Sequence, residues 1–301
     1  MSKRRFAGLL ALASALVVLP AASAAGSAFP VTLRSSNGTV TLPEKPTRIV
    51  SLSPTATEDL FAIGAGKQVV AVDSDSNYPA SAPLTKLSAY TPNAEAIAKY
   101  NPDLVVISAD ENHVAEALGK LHIPVLLQTP ASDFAGAYAQ LTQLGQATGQ
   151  TAGAAREVAK IKQQIAAVVA SVPKNAKGMT VYDELSPDFY SATSKTFIGQ
   201  ALTLLGLRDI ADKAGNSGSG YPKLSAEYIV AADPQLIVLS DTKCCGQTAA
   251  KVKARPGWST IAAVQNDGVV GVNDDIASRW GPRIVDFMRD VAAQIKIVAA
   301  K

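Results

Sequence analysis

The side chains best suited to covalent or metal chemistry are few, because the sequence contains two cysteines and two histidines. Cys244 and Cys245 are neighbours, and adjacent Cα atoms lie about 3.8 Å apart, below the usual disulfide range of about 4.4–6.8 Å. We interpret them as a surface pair in a loop, either reduced or oxidised to a strained vicinal disulfide. His113 and His122 cannot form a metal cage by themselves. We therefore predict no Cys/His zinc cluster and no resident metal.

Carboxylates could support general acid–base chemistry, since a pair of them in a cleft can exchange protons with a substrate. Asp75, Asp183 and Glu184 are the candidates, and they leave an enzyme open as an alternative. The nucleophile, zinc-protease and dinucleotide patterns GxSxG, HExxH and GxGxxG are missing from the sequence. We therefore predict that the protein is not an enzyme and has no cofactor of its own.

Two glutamates occupy the same position of a segment that the chain contains twice. Ala94–Ser108 and Ala226–Ser240 share seven of fifteen residues at an offset of 132, and Glu95 and Glu227 are the second residue of each copy. The interval is too long for a solenoid repeat and fits two similar lobes instead. A carboxylate in the first turn of a helix also complements the helix dipole, so the position alone does not establish a function.

Each copy of the repeat predicts a short helix followed by a buried strand. Pro102 and Pro234 end the helix, because proline cannot continue it. The apolar runs that follow are typical of parallel strands covered on both faces. Helix and strand alternate in both halves, which indicates an α/β fold in each. Strands are predicted at 48–53, 68–72, 104–107, 125–127, 179–182, 236–239 and 269–272, and helices at 54–63 and 197–205, the two helices ending at Gly64 and Gly206.

A single long helix is predicted between the halves. Apolar residues recur every three or four positions over 151–172, which is helical spacing. At about 1.5 Å per residue, such a helix spans roughly 33 Å and could join two lobes. We predict an α/β fold with two Rossmann-like lobes, at 25–149 and 174–301, joined by one long helix at 150–173. We expect this stiff connection to limit closure of the lobes.

The first 24 residues have the three parts of a secretory signal peptide. Basic residues at 3–5 precede an apolar run from Phe6 to Leu19, and the small residues 22–24 offer a cleavage site. The run is shorter than the roughly 20 residues that span a bilayer. Because no cysteine follows it, we expect a cleaved protein in the periplasm or extracytoplasmic space without a lipid anchor.

The charge of the remaining chain is balanced. The leader holds three of the 28 basic residues and none of the 25 acidic ones, so removing it leaves no net charge. A neutral chain has no general electrostatic attraction to nucleic acid or to anionic membranes. We therefore expect no nucleic-acid partner, and we expect a monomer.

Several segments resemble the helical-backbone class of periplasmic solute-binding proteins of ABC importers, in particular its vitamin B12-binding and ferric siderophore-binding members. The resemblance runs from about Phe29 to the C-terminus and includes both repeated segments and TFIGQALTLLG. Within it, SPTATE (Ser53–Glu58) follows the first strand, SNYP (Ser76–Pro79) follows the second, and SRWGPR (Ser278–Arg283) comes late in the chain. The resemblance implies a small metal-complex ligand held between the lobes and delivered to a membrane permease.

The resemblance also implies roles for particular residues. In the family, one surface glutamate per lobe pairs with arginines of the permease, and the motif places this role on Glu95 and Glu227. Tyr90 and Tyr221 stand where the family presents tryptophan to its ligand, and the pseudo-symmetry predicts that they face each other. Asp75 stands where the family has an aromatic residue.

The ligand is expected beyond the carboxyl ends of the strands, where α/β sheets usually bind. Aromatic faces suit a flat macrocycle, and hydroxyl and guanidinium groups suit its polar rim. The predicted ligand-binding residues are Asp75, Tyr78, Tyr90, Tyr190, Tyr221, Arg279 and Trp280.

The class of ligand stays open at this point. The main interpretation is a cobalamin or another corrinoid, or a ferric siderophore. Haem is an alternative, with His113 or a tyrosine as its axial ligand. A further alternative is an exported enzyme that uses Asp75, Asp183 and Glu184. Another is a structural or adhesive surface protein, and a deep cleft between the lobes would argue against it.

Overall fold

The fold is built on two parallel sheets. A computed structural model describes residues 29–214 and 218–301. The signal peptide predicted at 1–24 lies outside these residues. The strands are β1 (Val31–Ser35), β2 (Gly38–Leu42), β3 (Ile49–Leu52), β4 (Val69–Asp73), β5 (Leu84–Leu87), β6 (Leu104–Ile107), β7 (Val125–Leu127), β8 (Thr180–Glu184), β9 (Arg208–Asp209), β10 (Leu236–Leu239) and β11 (Val269–Gly271). The helices are α1 (Pro54–Ala62), α2 (Ala94–Ala98), α3 (Val114–Lys120), α4 (Phe134–Thr148), α5 (Thr151–Ala170), α6 (Phe197–Leu204), α7 (Ala226–Ala232), α8 (Thr242–Cys245), α9 (Ala249–Lys253), α10 (Ala262–Gln265), α11 (Asp274–Ala277) and α12 (Ile284–Ala299).

The N-terminal lobe, from β1 to α4, is built on a five-stranded parallel sheet in the order β5-β4-β3-β6-β7. The central strands β3 and β6 are buried along their whole length, as expected for strands covered by helices on both faces. The antiparallel hairpin of β1 and β2 is attached to this lobe, since the backbone N–H of Ser36 donates to the carbonyl of Leu127, the last residue of β7.

The C-terminal lobe, from β8 to α12, repeats this arrangement with four parallel strands in the order β11-β10-β8-β9. Strand β6 of the first repeat lies beside β3, and β10 of the second repeat lies beside β8. The helix that precedes each of these strands, α2 or α7, also corresponds. The internal repeat in the sequence is therefore a repeat of structure.

The twenty-residue helix α5 follows the N-terminal lobe and leads into the C-terminal one. A left-handed Gly149 (φ +68°) separates it from α4, and this conformation is one that glycine adopts without strain. On α5, Ala154, Ile161 and Ile165 face a core that is continuous across both lobes. This shared core holds the two lobes together through apolar burial.

Local sequence explains where α1 begins. Pro54 occupies the first turn, where its missing N–H costs nothing, and the Ser53 hydroxyl accepts from the backbone N–H of Ala56 at 3.2 Å. The first strand-to-helix connection of the N-terminal sheet is therefore set by a short stretch of sequence, and it places Glu58 inside the molecule.

The predicted fold class, two α/β lobes joined by a long helix, is confirmed. Strands β6, β7 and β10 have the predicted bounds, and the other predicted elements differ by one to three residues at an end. Helix α5 spans Thr151–Ala170, whereas 150–173 was predicted. The hairpin β1–β2 and the edge strand β5 were not predicted, because short strands with exposed faces lack a continuous apolar run. The lobe boundaries at 149/150 and 173/174 stay predictions.

No helix of the described ranges 29–214 and 218–301 has both the length and the apolar character to cross a membrane.

Candidate ligand-binding cleft

A cavity of about 470 Å³ lies between the two lobes. Its walls come from loops that follow parallel strands, β7 in the N-terminal lobe and β8 and β10 in the C-terminal lobe, together with the region around α11. This is the carboxyl edge of both sheets, where α/β folds commonly bind ligands. The lining residues are Pro130, Ala131, Leu185, Phe197, Ile198, Tyr221, Ser240, Cys244, Asp274, Ala277, Ser278 and Trp280.

The cavity combines apolar walls with a few polar groups, as small-molecule sites usually do. Two of the predicted ligand-binding residues, Tyr221 and Trp280, line it. The Trp280 indole N–H donates to Gln140 Oε1 of α4 at 2.7 Å, so this ring is held from the N-terminal lobe. Tyr221 keeps 45% of its surface exposed and is available to a ligand.

Tyr90 and Tyr190 lie elsewhere on the surface. Tyr90 is 77% exposed, in the turn that precedes α2, and Tyr190 is 45% exposed with Lys223 Nζ 5.7 Å from its ring centre. Of the symmetric pair Tyr90 and Tyr221, only Tyr221 lines the cavity between the lobes.

Tyr78 lines a second cavity of about 450 Å³, formed by α1, α5 and the start of α12. The Arg283 guanidinium lies 4.2 Å from the centre of its ring, which is a cation–π contact. The structure thus places Tyr78 beside an ion-pair cluster, in a different cavity from Tyr221 and Trp280.

Arg279 and Arg283 bind the Glu58 carboxylate across the two lobes. Arg279 donates to Glu58 Oε1 at 2.8 Å, and Arg283 donates to both carboxylate oxygens, at 2.8 and 2.5 Å. We call these three residues, with Asn77 and Asp275, the inter-lobe cluster. Glu58 belongs to α1, whereas the two arginines precede α12, so the cluster joins the N-terminal lobe to the C-terminal one.

The remaining donors of Arg279 are also used within the protein. It donates to Asn77 Oδ1 at 3.0 Å and to the backbone carbonyl of Asp75 at 2.9 Å, and it lies 3.2 Å from Asp275. Only 6% of its surface is exposed. Asp75 is exposed and contributes its backbone to the cluster. A ligand-binding role for Asp75 and Arg279 stays a prediction.

The carboxylates of the enzyme alternative do not share a cleft. Asp183 and Glu184 have no exposed surface, because both belong to the buried strand β8, while Asp75 is on the surface of the other lobe. Glu184 is neutralised by Arg255 in a bidentate pair, with both N–O distances 2.6 Å. The Arg255 guanidinium also lies 4.4 Å from the Trp258 ring centre. This pair stabilises the C-terminal lobe and is not open to a substrate.

Asp183 lies directly under the cavity wall. The Ser240 hydroxyl, which lines the cavity, donates to Asp183 Oδ1 at 2.8 Å. The pKa of Asp183 is raised to about 7, mainly because the carboxyl group is buried. The Ser240 hydrogen bond lowers it, and the nearby charges of Asp241 and Glu184 contribute to raising it. Burial raises the pKa of Asp241 to about 7 as well. Both groups therefore titrate near neutral pH.

Glu95 and Glu227 occupy equivalent exposed positions in the first turns of α2 and α7. Each of these helices has a side-chain cap, Asn93 or Ser225, which accepts from the backbone N–H three residues later. In the described part of the chain, neither glutamate takes part in an ion pair. The two carboxylates are thus free to contact a partner, one from each lobe.

Cys244 and Cys245 form a vicinal disulfide at the end of α8, one of the two states expected from the sequence. Both residues are exposed, and Cys244 lines the inter-lobe cavity. His113 and His122 are exposed, and no group of three or more metal-ligating side chains occurs among the described residues. His113 is not part of the cavity lining named above, so the structure gives no support to it as an axial ligand.

Sequence reasoning missed three polar or sulfur-bearing groups that matter here. Ser240 is the last residue of the second repeat and follows β10 directly, so its strand-end position was a usable signal. Glu58 belongs to the SPTATE motif of the family resemblance, but its arginine partners are more than 200 residues away and no local pattern predicts them. Cys244 was considered for its chemistry, but nothing in the sequence places it in the cavity.

Comparison with known proteins identifies similar chains. The family model described as periplasmic binding protein matches residues 49–276. An ABC transporter substrate-binding lipoprotein of Bacillus subtilis is 31% identical over 277 residues, 89% of this chain and 86% of the relative. A cobalamin-binding protein of Halobacterium salinarum is 31% identical over 314 aligned residues, 97% and 85% of the two chains. A crystal structure of a possible iron-binding periplasmic solute-binding protein from Staphylococcus epidermidis superposes with a TM-score of 0.73 at 28% identity, over 84% and 99% of the two chains.

Proposed function

Because this chain belongs to the periplasmic binding protein family, we propose that it is the substrate-binding component of an ABC importer and that it carries a corrinoid in the inter-lobe cavity. The observation that carries the proposal is a cavity formed by both lobes at the carboxyl edges of their sheets. The cobalamin-binding relative, similar over almost the whole chain, supports a corrinoid as the first ligand to test. Ferric siderophores and haem remain the competing ligands.

The chemistry of the cavity suits a flat macrocycle with polar substituents. Trp280, Tyr221 and Phe197 provide aromatic surface, which packs against extended π-systems. Ser240 and Ser278 provide hydroxyl groups for a polar rim. A corrinoid has more atoms than a 470 Å³ cavity can enclose, so we expect part of it to lie across the open mouth between the lobes.

Binding without catalysis is part of the proposal. The buried Glu184 is paired with Arg255, and Asp183 is shielded behind Ser240, so these two carboxylates do not form an open pair at the cavity. The metal complex would be cargo and not a cofactor. The protein would act as a monomer in the periplasm or extracytoplasmic space after removal of residues 1–24.

A direct binding test separates the candidate ligands. The purified chain from residue 25 is incubated with cyanocobalamin, with haemin or with ferrichrome, and each mixture is passed through gel filtration while the absorbance of the probe is recorded. We expect cyanocobalamin to co-elute with the protein. Co-elution of haemin or ferrichrome alone would replace the corrinoid with that ligand, and elution of all three probes apart from the protein would contradict the proposed cargo.

Matched variants test the location of the site. Trp280→Ala and Tyr221→Ala remove aromatic surface from the cavity, and we expect each to weaken binding of the co-eluting probe about tenfold, or about 1.4 kcal/mol. Leu121→Ala removes an apolar side chain of similar exposure (48%) after α3, outside the cavity lining, and we expect it to bind as the unchanged protein does. Equal weakening by all three variants would argue against this cavity.

Docking to the permease is proposed for Glu95 and Glu227. They are exposed, lie at the same position of each lobe and carry charge without an ion-pair partner in the described chain, which suits contact with basic residues of a two-lobed membrane partner. Charges of this kind mainly set orientation and association rate.

The charge-reversal variant Glu95→Lys/Glu227→Lys tests this role. We expect it to lose uptake of the probe in cells that depend on this importer, while its dissociation constant for the probe in solution is unchanged. The control Glu44→Lys/Asp290→Lys also reverses one exposed acidic residue in each lobe and should transport normally. Normal uptake by the Glu95→Lys/Glu227→Lys protein would refute the docking role.

A further inference from the structure

The vicinal disulfide has a defined position in the cleft. Cys244, at the end of α8, is one of the residues that line the inter-lobe cavity, together with Trp280 and Tyr221. Helix α8 starts at the buried Asp241, which follows β10 at the carboxyl edge of the C-terminal sheet. The two sulfur atoms are thus found at the edge of the sheet where the proposed ligand binds.

Backbone hydrogen bonds hold this segment against α11. The Asp274 carboxylate accepts the backbone N–H of Cys244 at 2.6 Å, that of Lys243 at 3.0 Å and the hydroxyl of Thr242 at 3.0 Å. The Lys243 side chain pairs in addition with Asp275, at 2.5 Å. Hydrogen bonds to a charged acceptor are among the stronger ones in proteins, so the position of the disulfide within the cleft is fixed.

Asp275 connects this anchor to the inter-lobe cluster. It accepts from Asn77 Nδ2 at 3.0 Å and lies 3.2 Å from Arg279. The segment that bears the disulfide is therefore held by the same polar network that joins the lobes. The disulfide is therefore held in a defined position relative to the parts of the cavity that each lobe contributes.

The chemistry of a closed disulfide differs from that of two thiols. The disulfide has no ionisable proton, and its ring removes the rotamer freedom of both side chains, so it presents a rigid, polarisable and largely apolar surface. Sulfur makes favourable contacts with aromatic rings. Two free thiols are flexible, ionise near pH 8.5, and as thiolates are soft ligands for transition metals.

We propose that the Cys244–Cys245 disulfide is a ligand-contacting wall of the inter-lobe cavity, and that its closed form keeps both sulfur atoms from coordinating the metal of the cargo. This inference rests on the proposed function, because it requires a metal complex in the cavity. A conjugated macrocycle packs against the sulfur surface from one side and against Trp280 or Tyr221 from another.

Reduction of the disulfide gives two thiols, of which that of Cys244 lines the cavity and can become a metal ligand. A dithiol such as dithiothreitol transfers two electrons and two protons to the disulfide, giving two cysteine thiols while the reductant becomes its own cyclic disulfide. One resulting thiolate can then replace a labile ligand on the metal, such as water on cobalt. The cargo would be bound by a coordinate bond, which opposes its release to a permease.

The test compares three states of the cleft with aquocobalamin and with haemin as probes. The states are the oxidised protein, the protein reduced with dithiothreitol and gel-filtered without oxygen, and the variant Cys244→Ser/Cys245→Ser. Thiol titration confirms no free thiol in the first state and two in the second. Affinity is measured by quenching of tryptophan fluorescence, since one of the two tryptophans, Trp280, lines the cavity, and coordination is measured from the absorbance spectrum of the probe.

We expect the oxidised protein to bind at least one probe without a change in its metal coordination. The reduced protein should shift the absorption bands of that probe to those of a thiolate complex. The serine variant should bind about fivefold more weakly than the oxidised protein, without that shift. Ala250→Ser, an exposed change on α9 outside the cavity lining, serves as the control and should bind as the oxidised protein does.

The outcomes distinguish the two proposals. Equal affinities and identical spectra in all three states would overturn the disulfide wall and leave the proposed function standing. Failure of the oxidised protein to bind either probe would overturn the wall together with a corrinoid or haem cargo. If the serine variant does not fold, as judged by its thermal transition, the comparison of the oxidised and reduced protein still decides the inference, because both have the same sequence.

Discussion

At the scale of single residues, the protonation state of Asp183 decides whether the Ser240 hydroxyl donates or accepts hydrogen bonds in the cavity. Because the Ser240 hydroxyl donates to the ionised Asp183 at 2.8 Å, its oxygen remains an acceptor for an N–H group of a ligand. When Asp183 is protonated it can donate instead, and the hydroxyl is then free to donate into the cavity. With a pKa raised to about 7, Asp183 makes this exchange near neutral pH.

The variant Asp183→Asn tests the buried carboxylate through its effect on stability. The pKa of Asp183 is about 7 in the folded protein and about 3.9 for an unperturbed aspartate. Between these values the unfolded chain binds fewer protons than the folded one, so this group's contribution to the free energy of unfolding falls as pH rises from about 4 to about 7. We expect the stability of Asp183→Asn relative to the unchanged protein to rise by about 2 kcal/mol between pH 5 and pH 8.

The measurement is urea denaturation of both proteins at pH 5, 6, 7 and 8. Comparing the two proteins at each pH cancels the contribution of carboxylates that do not interact with Asp183. A difference that stays constant over this range would mean that Asp183 is already ionised at pH 5 in the folded protein.

At the scale of elements, the packing of α5 against the N-terminal lobe depends on a close contact between α5 and the end of α1. Gly153, in the first turn of α5, lies against the end of α1, and a Cβ atom there would be only 2.0 Å from the carbonyl oxygen of Ile63. No side chain fits at that distance. The absence of a side chain at residue 153 therefore sets how closely the linking helix packs against α1.

The variant Gly153→Ala should be destabilising even though alanine favours helices. The methyl group has to push α5 away from Ile63, and overpacking of this kind usually costs about 1–3 kcal/mol. Gly119→Ala is the matched control, because Gly119 lies in α3 with no atom within 4 Å of the added Cβ. We expect the control to be stabilised by up to about 1 kcal/mol. Equal changes in thermal stability for the two variants would contradict the proposed close packing.

At the scale of the whole molecule, the inter-lobe cluster and the shared core hold the lobes in one arrangement. Glu58 binds two arginines from the opposite lobe, and the rings of Phe134 and Phe197, one from each lobe, have centres 4.8 Å apart. Polar and apolar contacts thus cross the lobe boundary independently of α5. Limited closure of the lobes around a ligand stays a prediction.

The variant Glu58→Gln is expected to weaken this arrangement. It keeps the shape of the side chain but leaves the buried Arg279 and the partly buried Arg283 without their common carboxylate. Breaking a buried pair in this way costs about 3–5 kcal/mol. Urea denaturation measures the loss. Glu116→Gln, which removes an exposed pair with Lys120, is the control and should leave stability unchanged, because exposed pairs contribute little. An equally small effect at Glu58 would show that the cluster does not stabilise the assembly of the lobes.

The sequence alone determined the buried strands, the linking helix and their order along the chain, but not the hairpin β1–β2, the edge strand β5 or the helices α3 and α4. The apolar runs of β6, β7 and β10 gave their bounds, proline and glycine marked the ends of helices, and the repeated segment predicted two similar lobes. These features are local, because a strand or helix depends on periodicity within about twenty residues. The same local pattern placed Glu95 and Glu227 in the first turn of a short helix, whereas their exposure was implied by the family resemblance.

Only the tertiary structure decided which side chains share a cavity. Tyr221 and Trp280 line the cavity between the lobes, whereas Tyr78 lies beside Arg283 in another cavity, and Arg279 is bound by Glu58 from the opposite lobe. Cys244 is held in the cavity wall by a hydrogen bond from its backbone N–H to Asp274, which is thirty residues away in sequence. Such neighbours depend on how the two lobes pack against each other, which results from many weak contacts between residues distant in sequence and has no periodic signal along the chain.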